Sequence, residues 1–249
     1  MNRYRRRRRC PRGRTGRPAW TVRLVFQPAE ELTTGGALDV LAAAGLDVVR
    51  CLVAPHCDPR LDAGRIGLRT GPITAASDLL EIRLSGPGGH TARPQLTAGT
   101  LARIAAGHAP NAIPASGRLR GTVRMLYPTI REGAGHLVGQ VAEASAATSG
   151  AIVEVDYRHG VPPVVNDPRV VEFIRAGVHS TLGTEAAVPE EVSMGGEDFA
   201  WYQRTVPGAM ARLGVRRPGG ADVDLHRGSF AVDDRLMVGT ARAALAGSA

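Results

Sequence analysis

Apolar and polar positions along the chain fall into alternating strand-like and helix-like runs. Residues 22–26 (VRLVF) form a short apolar run and predict a strand. The Ala/Leu-rich stretch 36–44 predicts a helix, and 48–54 predicts a strand that delivers His56 at its end. Residues 79–84 alternate apolar and charged positions, the pattern of a half-exposed strand, and 118–126 alternate in the same way. Residues 130–149 are Ala-rich with apolar positions at helical spacing, so a long helix is expected there, followed by a strand over 152–157. Further helices are expected over 169–181 and 233–246, with a short buried strand over 209–215 between them. Gly86-Pro87-Gly88-Gly89 reads as a turn, and Pro162-Pro163 as a hinge.

This order predicts an interrupted domain. Residues 21–77 and 164–249 would form one discontinuous α/β body, with 78–163 inserted as a smaller lid. Length allows this, since 249 residues can hold one large domain or two modest ones. At 43% hydrophobic but only 4% aromatic, the cores must rest on Val, Leu, Ile and Ala. Every one of the 31 basic residues is Arg, and nine of them lie within residues 1–20, where no acid occurs. Removing those nine from the formal charge of +8 leaves the rest of the chain at −1, so the basic balance belongs to the tail. Residues 1–20 are read as an Arg-rich disordered tail. Nucleic-acid binding is not expected of it, because base stacking wants interleaved aromatics and only Tyr4 and Trp20 are nearby. No apolar segment follows the charges as in a signal peptide, and no run approaches a membrane span. Cys10, Cys51 and Cys57 make an odd count without a pairing pattern, which favours a reducing, cytoplasmic setting.

The chemistry concentrates at the end of the first predicted strand. Residues 21–31 read TVRLVFQPAEE, an apolar strand closing on two adjacent carboxylates, Glu30 and Glu31. Neighbouring side chains on extended backbone point to opposite sides. One carboxylate can therefore bind a metal while the other handles the proton of a water that the metal acidifies. Downstream come APHCDP with His56, LSGPGGHTARP with His90, APNAIP with Asn111, RGTVR with Arg124, SMGGEDFAWY with Glu197 and Asp198, VPGAMARLG, and DLHRGSF with His226. In this order the motifs resemble the metal-dependent amidohydrolases of the aminoacylase, hippurate hydrolase and indoleacetyl-amino-acid hydrolase family, from about Trp20 to near the C-terminus.

The resemblance implies a three-layer α/β metallopeptidase-like catalytic domain with an inserted α+β lid that mediates homodimerisation. It implies that Glu31, His56 and His226 ligate a divalent metal (zinc, manganese or cobalt) and that Glu30 is the general base and acid of amide hydrolysis. His90, Asn111 and Arg124 would reach the substrate, an N-acyl amino acid, from the lid; an Arg fork suits a carboxylate. Glu197-Asp198 opens a helix, where acids are favourable, and is read as mainly structural or as a support behind the ligands. His108, His136, His159 and His179 match no ligand position and are read as bystanders.

Two departures from the family pattern set a further expectation. The family's His-x-Cys-Gly-His-Asp segment, which supplies a Cys and a His ligand, has no counterpart before the first strand. Only 21 positions separate His90 from Asn111, fewer than the family's intervening helix and strand require. The catalytic domain is therefore expected to be incomplete and the lid shortened, with activity impaired. The alternative from another class is a non-catalytic truncated remnant, or a partner that dimerises through its lid.

Overall fold

The computed structural model describes residues 21–30, 36–44, 46–86, 89–90, 112–220 and 225, together with 6–7; at 6–7, 44, 89–90 and 112 it describes the backbone alone. The chain divides into two compact units, one of residues 1–75 and 163–249 and one of residues 76–162.

The first unit begins with β1 (Arg6–Arg7) and β2 (Arg23–Leu24), paired antiparallel, then α1 (Gly36–Ala44), β3 (Leu52–Asp62), β4 (Ile66–Leu68) and β5 (Gly71–Pro72). The second unit holds β6 (Ala76–Ser85), β7 (Gly89–His90), β8 (Ala112–Ile113), β9 (Ser116–Met125), α2 (Pro128–Ala147) and β10 (Ile152–Val161). The chain then re-enters the first unit with β11 (Val165–Asn166), α3 (Pro168–Leu182), β12 (Ala187–Pro189), the short α4 (Phe199–Tyr202) and β13 (Gly208–Arg216).

The main sheet of the first unit has the order β12-β4-β13-β3. β13 runs parallel to β3 and antiparallel to β4, while β12 runs parallel to β4. Alternate residues of β13 serve opposite faces. Ala209, Ala211 and Leu213 join Val170, Val171, Ile174 and Val178 of α3 in one core. Met210 turns the other way, into a cluster with Ile73, Val164 and Ala200. On that second face Ala37 and Val40 of α1 pack against Tyr202 of α4 and against Val206 in the loop that follows it, with Leu52 of β3 against them. The result is a helix–sheet–helix sandwich, the three-layer α/β arrangement anticipated from the sequence. α3 starts where Asp167 accepts hydrogen bonds from the backbone N–H groups of Arg169 and Val170, with Pro168 in the first turn. Asn166, buried beside it, accepts from the Met210 N–H at 2.8 Å and donates to the Met210 carbonyl at 2.9 Å, clamping the middle of β13.

In the second unit, β10-β6-β9 form an antiparallel sheet with α2 packed on it. Asp78 of β6 is fully buried and gathers Arg131, Tyr157, His159 and the Gly160 N–H around one carboxylate. β7 and β8 form a two-residue ladder in which His90 lies opposite Ala112.

Helix α1 has the bounds expected from the pattern, and α2 and α3 differ from the expected bounds by only a residue or two. β3 departs from expectation: it runs to Asp62, so His56 sits inside the strand instead of at its end. The regular part of the 22–26 stretch is limited to Arg23–Leu24. The helix expected over 233–246 lies outside the described residues, as do Asn111, Glu31 and His226.

Candidate active site

The candidate site is built on the face of the main sheet opposite α3. Ala54 of β3 and Met210 of β13 share a cluster on that face, and two residues further along each strand come His56 and Arg212, which are direct register partners. The segment leading into α4 brings Glu197 over this pair. Its Oε1 lies 3.1 Å from His56 Nε2 and 3.8 Å from Arg212 Nη1, with the Glu197 side chain only 13% exposed. The imidazole is oriented from its other nitrogen, because Nδ1 lies 2.8 Å from the Cys57 carbonyl oxygen. A carbonyl only accepts, so the Nδ1–H donates and Nε2 is the nitrogen turned toward the carboxylate.

Burial pushes the Glu197 carboxyl up. The hydrogen bond and charge of His56, the charge of Arg212 and a side-chain hydrogen bond with Glu30 outweigh it and hold the group below the usual carboxylate range. Glu30 is thus brought to the cluster. It follows Ala29, whose φ of 56° lies in the left-handed region that a residue with a Cβ rarely enters. Strain of this kind persists where surrounding contacts fix the backbone, and here those contacts are visible. Gln27 donates to Asp198 Oδ2 at 2.5 Å and accepts from the Tyr202 hydroxyl at 2.8 Å. A Cβ on Gly36 would collide with the Pro28 carbonyl oxygen, so only glycine lets α1 start this close to the turn carrying Glu30.

A second group of charges continues along the same strands. Asp58, buried, accepts three hydrogen bonds from Arg60, whose guanidinium also reaches Glu190 at 3.3 Å. Burial and the Asp58 charge push the Glu190 carboxyl up, and its Oε2 is buried without a hydrogen-bond partner. The buried Arg212 guanidinium balances this face, acting on Asp58, Glu190 and Glu197.

Of the sequence-derived site residues, the structure joins His56 and Glu30 through Glu197. Glu197, read from sequence as a helix-start acid with a structural or supporting role, meets His56 directly, a contact that its Gly-Gly-Glu-Asp run does not signal. In the second unit, Arg124 is an exposed residue of β9 in register with Ser77, and His90 is placed only by its backbone in β7. Among the described residues no three His, Cys, Asp or Glu side chains gather as a metal cluster. The donor chemistry at His56 nevertheless fits a divalent cation: an imidazole nitrogen whose opposite N–H is held by a backbone carbonyl, facing an ionised, mostly buried carboxylate. No helix among the described residues is long and apolar enough to cross a membrane.

Residues 12–245 match Peptidase family M20/M25/M40. A Rhodococcus jostii protein named "Putative glutamate--cysteine ligase 2-3" is 40% identical over 89% of this chain and 31% of its own length. A Bacillus subtilis N-acetylcysteine deacetylase is 32% identical over 87% of this chain and 63% of its own length. The crystal structure of Bacillus subtilis YXEP, described as a dinuclear metal binding peptidase of the M20 family, superposes with a TM-score of 0.77 at 32% identity, covering 91% of this chain and 64% of that one. The chain thus spans between about a third and two thirds of the length of these relatives.

Proposed function

Because the chain belongs to Peptidase family M20/M25/M40, we propose that it works as a metal-dependent amidohydrolase on small N-acyl amino acids. In this reading Glu31, His56 and His226 hold a zinc, manganese or cobalt ion and Glu30 moves the proton. The observation that carries it is the convergence of Glu30, His56 and Glu197 on one sheet face, with His56 Nε2 turned toward the carboxylate and Nδ1 anchored on Cys57. A divalent metal, when bound, supplies a Lewis acid for the amide carbonyl and makes water acidic near neutral pH. Glu30 takes the proton from water and returns it to the leaving amine. Its constrained turn fixes where that carboxylate stands. His90, Asn111 and Arg124 bind the substrate, the Arg124 guanidinium pairing with its carboxylate. Two copies would pair through the second unit, in a reducing cytoplasm where Cys51 and Cys57 stay free thiols.

One observation favours the second reading, a dimerisation partner without catalysis. Ile130, Leu137 and Val141 lie on one side of α2 and are each about 60% exposed.

Calorimetry with Mn²⁺ and Zn²⁺ on the wild type and on Glu31→Ala tests the enzyme reading. Binding near one equivalent that disappears in the variant, with amino acid released from N-acetyl amino acids, supports it. No binding, or binding indifferent to the substitution, overturns it in favour of the second reading.

A further inference from the structure

Resting on that reading, we propose that Glu197 is itself a ligand of the ion held by His56. The two donor atoms, His56 Nε2 and Glu197 Oε1, stand 3.1 Å apart. Two donors bonded to one ion at about 2.0–2.1 Å are separated by roughly 3.3 Å at a tetrahedral angle and roughly 2.9 Å at a right angle. The observed separation falls between these, so an ion fits across the His56–Glu197 edge with shifts of a few tenths of an ångström.

The surroundings agree with that assignment. The Nδ1–H of His56 donates to the Cys57 carbonyl at 2.8 Å, so Nε2, which donates to Glu197 here, is the ring nitrogen that an ion would take once it releases its proton. Glu197 is mostly buried, so bulk water competes little for its carboxylate. Its backbone is pinned on the C-terminal side, where Asp198 takes a hydrogen bond from Gln27 and α4 begins at Phe199. Arg212 lies at 3.8 Å from the same oxygen, a looser contact than His56, and faces Asp58 and Glu190 as well; it offsets excess negative charge on this face.

The competing role for Glu197 is a cap, a carboxylate that hydrogen-bonds Nε2 and must leave when the metal arrives. Ligand and cap predict effects of opposite sign. Removing a ligand weakens metal binding, whereas removing a cap leaves it unchanged or tightens it.

The test is calorimetry with Zn²⁺ alone on the full chain, comparing wild type, Glu197→Gln, Glu197→Ala and Glu31→Ala, with thermal melts to confirm folding. Visible absorption of the Co²⁺-loaded protein serves as a second readout. The expected result is at least a tenfold loss of Zn²⁺ affinity in both Glu197 variants and an altered Co²⁺ spectrum in Glu197→Gln. If the alanine variant does not fold, the isosteric glutamine variant carries the test. Affinity unchanged or tighter in Glu197→Gln, with binding still lost in Glu31→Ala, overturns this inference and leaves the amidohydrolase reading standing. Absence of Zn²⁺ binding by the wild type overturns both.

Discussion

Replacing Asp78 with alanine tests whether one buried carboxylate organises the second unit. Asp78 is fully buried and receives Arg131 Nη2 at 2.6 Å, the Tyr157 hydroxyl at 2.9 Å and the Gly160 N–H at 2.9 Å. Alanine removes all of these and leaves Arg131, 13% exposed, without its counter-ion. Removing one partner of a buried pair costs about 3–5 kcal/mol, and the stranded Tyr157 and Gly160 donors keep the loss from falling below that range. With a urea slope of about 1–1.5 kcal/mol per M for a unit of this size, the midpoint should fall by about 2 M or more. Both tryptophans, Trp20 and Trp201, belong to the other unit, whereas the 20-residue α2 dominates helicity in this one. Fluorescence should therefore unfold near the wild-type midpoint while the circular-dichroism signal splits and loses an early component. Coincident transitions shifted by less than about 1 kcal/mol would refute the reasoning. The pH dependence follows from the same contacts. Burial pushes the Asp78 carboxyl up, but hydrogen bonds from Arg131, Gly160 and Tyr157 outweigh it and hold the group below the usual range. A carboxyl depressed in the folded state stabilises above its unfolded value near ~3.9 and loses that contribution as pH falls through the folded value. The acid-induced loss of the second unit below about pH 4 should be smaller in the alanine variant.

Three further outcomes follow from the first unit. Ala29→Gly relieves a left-handed backbone position and should leave thermal stability unchanged or raise it by up to about 1 kcal/mol; a clear loss in a melting experiment would contradict the strain argument. Glu190 is pushed up by burial and by the Asp58 charge, so its contribution is present below the unfolded value and lost as pH rises through the folded one. Glu190→Gln should match wild type near pH 4 and gain stability over it as pH rises, and a pH series of melting temperatures showing the reverse trend would exclude this. Gly36→Ala places a methyl against the Pro28 carbonyl and should cost about 1–3 kcal/mol by urea denaturation, with Glu31-dependent metal binding weakened in the same variant.

Much of the architecture was legible from pattern alone, because α1, α2 and α3 carry apolar positions at helical spacing and β6 and β9 alternate cleanly. The expected strand ended at Ala54, whereas β3 runs on to Asp62 through Pro55 and Pro59. Among the described residues β3 lies at the edge of its sheet, where a proline whose N–H position faces away from β13 breaks no ladder bond, so both Pro55 and Pro59 are accommodated. That extension places His56 inside the strand, on the same face as Ala54 and opposite the α3 core. β4 and β12 were not anticipated, since three-residue strands carry too little periodicity to read. The role of Glu197 was hidden for another reason: its partners His56 and Arg212 come from two different strands, and only the parallel register of β3 with β13 brings them together. His159, read as a bystander, proves to contact Asp78 at 3.2 Å, a contact set by the pairing of β10 with β6.

The strand order of the main sheet has a consequence for how the chain is made. β3 and β4 are neighbours in sequence but not in space, because β13 lies between them. A nascent chain that has emerged through Leu68 still lacks about 150 residues before Arg216 completes the strand that joins them. At roughly 5–20 residues per second, translation leaves these apolar edges unpaired for roughly 7–30 s. The inserted unit, built from neighbouring segments, can meanwhile fold on the ribosome. The Ile73 N–H to Val164 carbonyl bond at 3.0 Å then ties together the points where the chain leaves and re-enters the first unit. Late closure of the sheet makes chaperone protection during synthesis, more than final stability, the expected limit on the yield of this protein.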